Sequence, residues 1–208
     1  MKGNNIENIS EYDRAGKKFT KNQISFYNKY KGMLGSGFDK LKTQNNIYPD
    51  ESLYENQITK IIKKHNGVFC PVIARDETDK IKMKPYTEPT FCIMNLSKRD
   101  DPDGGTHWTA IYIDKYDVCY YDSFGREPDS DIRANMKKMS DSQNCPHMRK
   151  FKYNTIDNQD VNSSDCGWMC IKFITNMLNG KSFKSATHFD ETTIQKMIKG
   201  WNKNGTFI

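Results

Sequence analysis

The sequence predicts an α+β fold, and three observations carry that expectation. Short, apolar and partly β-branched runs cluster in the middle of the chain, helical periodicities lie on both sides of them, and one hairpin is plainly legible. That hairpin joins predicted strands over 106–113 and 118–122 through Asp114-Lys115-Tyr116-Asp117, where the aspartates suit a tight turn.

In chain order, residues 1–50 read as a basic, polar N-terminal extension, and 51–208 as a single domain. From Leu53 to Lys64, the apolar residues Leu53, Ile58, Ile61 and Ile62 recur at helical spacing. Runs over 67–73 and 90–96 predict strands separated by a charged surface excursion, Arg75 to Lys84. After the hairpin, Ile132, Met136 and Met139 mark one face of a helix over 130–140, and 150–155 predicts another strand. From Cys166, the residues Trp168, Met169, Ile171, Phe173, Ile174, Met177 and Leu178 are too densely apolar for a surface helix. They predict a buried one ending near Asn179-Gly180. A helix over 191–201 follows.

Composition bounds the function. The chain of 208 residues can bury a core without disulfides or metal, and its mean hydropathy is −0.86. No stretch approaches the roughly 20 apolar residues of a membrane span, and the first residues lack a signal-peptide apolar region, so an intracellular protein with no membrane partner is expected. Six cysteines at irregular spacings do not form the framework of a small secreted domain. The net charge of +6 lies in lysine-rich patches without interleaved aromatics. That favours solvated faces over a single-strand groove and leaves non-specific DNA open as a partner.

A turn centred near residues 115–116 puts His107 opposite residues 122 to 124, within reach of the Asp122 carboxylate. Such a carboxylate fixes the imidazole tautomer and supports its positive charge. The competing reading is a satisfied polar contact at a sheet edge. A third residue decides between them. Cys166 follows Asn162-Ser163-Ser164-Asp165, all helix-capping types, and precedes a strongly helical run, which sets a thiol at a helix N-terminus where a thiolate is favoured. Gly167 would admit a substrate carbonyl, and Gln159 offers a neutral amide donor to an oxyanion.

The stretches Gly105-Thr106-His107-Trp108, Tyr121-Asp122-Ser123-Phe124-Gly125 and Gln159 through Gly167, in that order, resemble the adenovirus-type cysteine peptidases and the related SUMO- and ubiquitin-like-protein-specific proteases. The separation of seven between Gln159 and Cys166 resembles the adenoviral pattern, whereas Asp at position 122 resembles the SUMO branch. Asn66-Gly67-Val68-Phe69, Ala74-Arg75-Asp76-Glu77 and Cys92-Ile93-Met94-Asn95-Leu96 resemble proteases of virophages and Maverick/Polinton elements.

The resemblance implies a mixed, largely antiparallel central sheet flanked by helices, with the nucleophile opening a buried helix. It implies Cys166 as nucleophile, His107 as base, Asp122 as its orienter, and an oxyanion hole of Gln159 and the Cys166 N–H. Trp108 would pack beside His107 and, with Gly167, contact substrate. The implied activity is a thiol endopeptidase that cleaves capsid and core precursors in virion maturation, active in the host cytoplasm or viral factory and packaged in the virion. No cofactor is implied for the chemistry, though DNA is an activator by analogy. An isopeptidase of ubiquitin-like modifiers, a catalytically silent DNA- or capsid-binding protein, and an acetyltransferase with the same triad are the alternatives.

Two further signals each admit a plainer reading. Cys166 and Cys170, one helical turn apart, could ligate a metal with His107 or with Cys145-Pro146-His147, but no second paired-cysteine unit exists and Cys170 reads as a core thiol. Met33-Leu34-Gly35-Ser36-Gly37 resembles the cleavage sites of adenovirus-type proteases, so self-cleavage between Ser36 and Gly37 stands against a plain glycine turn.

Overall fold

A strand whose residues are apolar on both faces needs cover on both sides, and the central runs of this sequence receive it. The computed structural model describes residues 53–102, 105–160 and 163–204. The expected extension and its Ser36–Gly37 bond lie outside the described residues. Five strands form one sheet in sequential order: β1 (Val72–Ala74), β2 (Thr90–Asn95), β3 (Trp108–Ile113), β4 (Asp117–Asp122) and β5 (Lys150–Tyr153). The three central strands are antiparallel, and each edge strand runs parallel to its neighbour. This is the mixed α+β sheet that the resemblance implied.

The helices are α1 (Glu55–Asn66), α2 (Ser130–Ser142), α3 (Cys166–Leu178), α4 (Phe183–Thr187) and α5 (Glu191–Asn204). Because successive strand side chains point to opposite faces, the sheet feeds two cores. Ile93, Ala110, Tyr112, Cys119 and Tyr121 pack with α1, α3 and α5. Met94, Ile111, Ile113, Val118 and Tyr120 pack with Ile132, Met136 and Met139 of α2. In α3 nearly every residue is buried, which accounts for its uninterrupted apolar run.

The hairpin turn forms as its aspartates predict: Asp114 Oδ1 accepts from the N–H groups of Tyr116 (2.7 Å) and Asp117 (2.8 Å). Elsewhere the elements differ from expectation for local reasons. The run over 67–73 yields strand only from Val72, because Gly67 at φ 68° ends α1 with its N–H on Lys63 O. The excursion begins with a 3₁₀ turn over Arg75–Lys80, whose Glu77 is buried. Hydrogen-bonded by Arg99, the Ala74 N–H and Lys80, Glu77 is held down to about 2 despite its burial, which ties the turn to the loop leading towards β3. Helix α4 is too short for periodicity to reveal; Ser182 starts it by accepting from Ser185 N.

After β4 the chain turns sharply, with Gly125 N donating to Asp122 O (2.8 Å). Gly125 has φ 66°, and a Cβ there would lie 2.8 Å from backbone carbons of Thr155 and Ile156, whereas one on Gly67 would meet nothing within 4 Å. Gly67→Ala should therefore cost the left-handed penalty of about 1–2 kcal/mol. Gly125→Ala should cost clearly more, since the clash adds to it; urea unfolding of the two variants side by side measures the difference.

Candidate active site

His107 lies one residue ahead of β3, and Asp122 is the last residue of β4. In the observed register Asp122 is opposite Thr109, so His107 lies diagonally across from it on the same face. The offset suits the length of the two side chains: His107 Nε2 and Asp122 Oδ1 are 2.8 Å apart. The same oxygen accepts from Phe124 N (2.9 Å), and the Phe124 ring lies 5.0 Å from the imidazole, centroid to centroid. Asp122 is 1% exposed. Its own backbone is clasped by Asn154, whose Oδ1 accepts from Asp122 N (2.9 Å) while its Nδ2 donates to Asp122 O (2.6 Å).

With Nε2 committed to Asp122, Nδ1 is the ring nitrogen left for a second partner. Cys166 is the neighbouring group, near enough to bear on the charge of the imidazole. Burial by itself pushes the imidazolium down, but the charge and hydrogen bond of Asp122, followed by the influence of Cys166, outweigh it and raise His107 to about 10. On the Asp122 side burial raises the carboxyl, and the His107 charge and hydrogen bond, with Arg126 and Phe124 N, carry it below its usual range.

Cys166 is the first residue of α3 and is 8% exposed. Asp165 occupies the cap position, yet its side chain makes no cap bond; Oδ2 instead accepts from Gln195 Nε2 of α5 (2.7 Å). That carboxylate is therefore bonded to α5 rather than to the N-terminal end of α3 where Cys166 stands. Gln159, 4% exposed, is held at both ends of its amide: Ser123 Oγ donates to Oε1 (2.6 Å), and Nε2 donates to Ser163 O (2.8 Å).

Of the expected substrate contacts, Trp108 turns to the α1–α3 side and donates from Nε1 to Leu53 O (2.8 Å). A Cβ on Gly167 would meet Leu53 and Trp108 at 3.1 and 3.3 Å, so glycine here lets those two side chains close over the start of α3. Cys170 is fully buried, and among the described residues no group of three or more His, Cys, Asp or Glu could hold a metal. Sequence reading missed Ser123 and Asn154. Their pairing is long-range, and only Ser123, next to Asp122 in a quoted motif, offered a signal.

An imidazole held between a buried carboxylate and a thiol at a helix start, on this α+β scaffold, is the arrangement of a cysteine peptidase. The chain belongs to the Ulp1 protease family: the model described as "Ulp1 protease family, C-terminal catalytic domain" matches residues 55–206. No curated protein matches the sequence. Among solved structures, the ASFV pS273R protease superposes with a TM-score of 0.57 at 16% identity, covering 84% of this chain and 77% of that one. Its selenomethionine form gives 0.45 at 18% identity, over 58% of this chain and 44% of that one. The likeness to these structures is one of fold.

The raised His107 fixes a pH dependence. A histidine raised above its ordinary value of about 6.5 keeps its proton through neutral pH and loses it as pH rises through about 10. The stabilisation it shares with Asp122 is therefore complete below about 6.5 and fades towards 10; at the acid end it goes as pH falls through the lowered range of Asp122. Histidine-selective NMR titration should place the His107 midpoint near 10, and Asp122→Asn should move it down by at least about one pH unit.

Proposed function

We propose that this chain is an endopeptidase that matures viral capsid and core precursors in the infected cell, using Cys166 as nucleophile, His107 as proton carrier, Asp122 as its orienter and Gln159 with the Cys166 N–H as oxyanion donors. The observation that carries the reading is the 2.8 Å bond between His107 and the buried Asp122 carboxylate, with Cys166 at the start of α3 near enough to bear on the imidazole's charge. The fold shared with the ASFV pS273R protease supports the viral setting.

In this scheme the proton shared by the Cys166 sulfur and the imidazole rests on His107, which is held protonated through neutral pH, as the sulfur attacks the scissile carbonyl carbon. The resulting oxyanion is held by Gln159 Nε2–H and the N–H at the start of α3. Collapse breaks the C–N bond, with His107 returning the proton to the leaving amine. Water, deprotonated by His107, then attacks the thioester, and the acid leaves as the thiol is restored. With a co-expressed capsid precursor as substrate and mass spectrometry as readout, Cys166→Ala should abolish cleavage, and Gln159→Ala should lower kcat by roughly 10²-fold. Equal cleavage by wild type and Cys166→Ala would sink the proposal.

The match to the Ulp1 family favours a second reading, removal of ubiquitin-like modifiers. Preference for a ubiquitin-like conjugate over capsid-derived peptides in a side-by-side assay would select it.

Self-cleavage between Ser36 and Gly37 belongs to the first reading. The chain enters the described fold beside the site, with Leu53 buried against Gly167 and its carbonyl bonded to Trp108. The segment 37–53 can span at most about 60 Å when extended, ample to double back to Cys166. Prolonged incubation of active enzyme should yield a fragment beginning at Gly37, and an intact N-terminus alongside efficient cleavage of another substrate would refute this.

A further inference from the structure

Gln159 is useful to an oxyanion only if its amide is the right way round. The two ends of a glutamine amide have nearly the same shape but opposite hydrogen-bonding character, so a buried one needs partners that tell them apart. The Ser163 carbonyl is one such partner. A carbonyl oxygen can only accept, so the group 2.8 Å from it must be the NH₂. Oε1 then faces Ser123, and the hydroxyl at 2.6 Å must donate. Ser123 is 0% exposed, so no water competes for that proton.

With one Nε2–H on Ser163 and Oε1 on Ser123, the second Nε2–H has no hydrogen-bond partner among the described residues. Rotating the amide would set Oε1 against the Ser163 carbonyl, two acceptors in contact. Removing the Ser123 hydroxyl would leave Oε1 buried without its donor, weakening the preference for the productive orientation. Ser123 also follows Asp122 directly, and its carbonyl accepts from Asn158 N (2.7 Å), the residue before Gln159. The strand end that orients the imidazole thus grips the Gln159 loop by both backbone and side chain.

We propose that Ser123 is a positioning residue that fixes the orientation of the Gln159 side-chain amide so that one N–H points to the developing oxyanion. This rests on the reading of Gln159 as an oxyanion donor. Its physical half, that Ser123 locks the amide, stands without any substrate.

Three measurements on the full chain test it. In Gln-selective ¹⁵N NMR, with Gln159→Ala assigning the signal, the two Gln159 side-chain protons should be distinct and slow to exchange with solvent. Ser123→Ala should speed that exchange at least about 10-fold, and Ser123→Cys, which fills the space with a weaker donor, should do so in the same direction. Unchanged exchange in both variants overturns the proposal even where no substrate has been found.

Where cleavage is measurable, Ser123→Ala should lower kcat about 10-fold or more with KM nearly unchanged, and should add little to Gln159→Ala in the double variant. Iodoacetamide alkylation of Cys166, which needs the thiol and imidazole but no oxyanion hole, should keep its wild-type rate. A wild-type kcat, full additivity with Gln159→Ala, or alkylation falling in parallel with turnover each overturns the role of Ser123. If instead Gln159→Ala itself leaves kcat intact while Ser123→Ala still frees the amide, it is the oxyanion assignment that fails.

Discussion

Asp122 is a carboxylate with 1% of its surface exposed, and much of the structure around the site follows from what keeps it charged there. Removing a carboxylate from water is costly enough that an isolated one would take up a proton. Here the opposite happens, because His107 supplies a positive charge and Phe124 an N–H to the same oxygen, with Arg126 adding a more distant charge. The cation and anion sustain each other: the proton that makes His107 a partner for Asp122 is held by Asp122. Each is the largest favourable influence on the other's charge.

That dependence places demands on the backbone. The carboxylate must arrive at one point, which requires the β3–β4 register, and the register is set by the Asp114 turn and by apolar residues buried on both faces of the sheet. Beyond the strand end, the Asn154 side chain takes up the Asp122 N–H and carbonyl as the backbone of a fifth β5 residue would, although β5 stops at Tyr153. Gly125 then lets the chain turn so close to the Thr155–Ile156 backbone that a Cβ there would lie 2.8 Å from it. The loop that carries Gln159 leaves from that contact, so the imidazole and the amide are built from one corner of the sheet.

The legible parts of this design were the local ones. Asp114 announced the turn, the hairpin arithmetic brought His107 to Asp122, and the polar-to-apolar switch at Cys166 located a helix start. The diagonal offset of His107 and Asp122 was within the predicted range but could not be read from it, because the register depends on which turn residues pair. The uncapped start of α3 was also hidden: Asp165 has the composition of a cap, and only packing of α5 draws its carboxylate to Gln195. Ser123 and Asn154 are ordinary polar residues whose partners lie more than thirty positions away. Contacts of that range leave no period in a sequence.

Asp165 and Ser123 illustrate one physical rule from opposite sides. A carboxylate at the cap of α3 would neutralise the N–H groups that an anion at Cys166 needs, and the fold turns it away onto Gln195. A hydroxyl beside Gln159 is drawn in, because a neutral amide gains direction from it without acquiring charge. In both cases a long-range partner decides what a polar side chain near the start of α3 does: the Asp165 carboxylate is bonded to Gln195, and the Gln159 amide is bonded by Ser123. Helix α5, which touches neither Cys166 nor His107 through any hydrogen bond described above, takes part in this through Gln195. Its packing on α3 by Ile194, Met197 and Ile198 is therefore a condition of the site's electrostatics as well as of its stability.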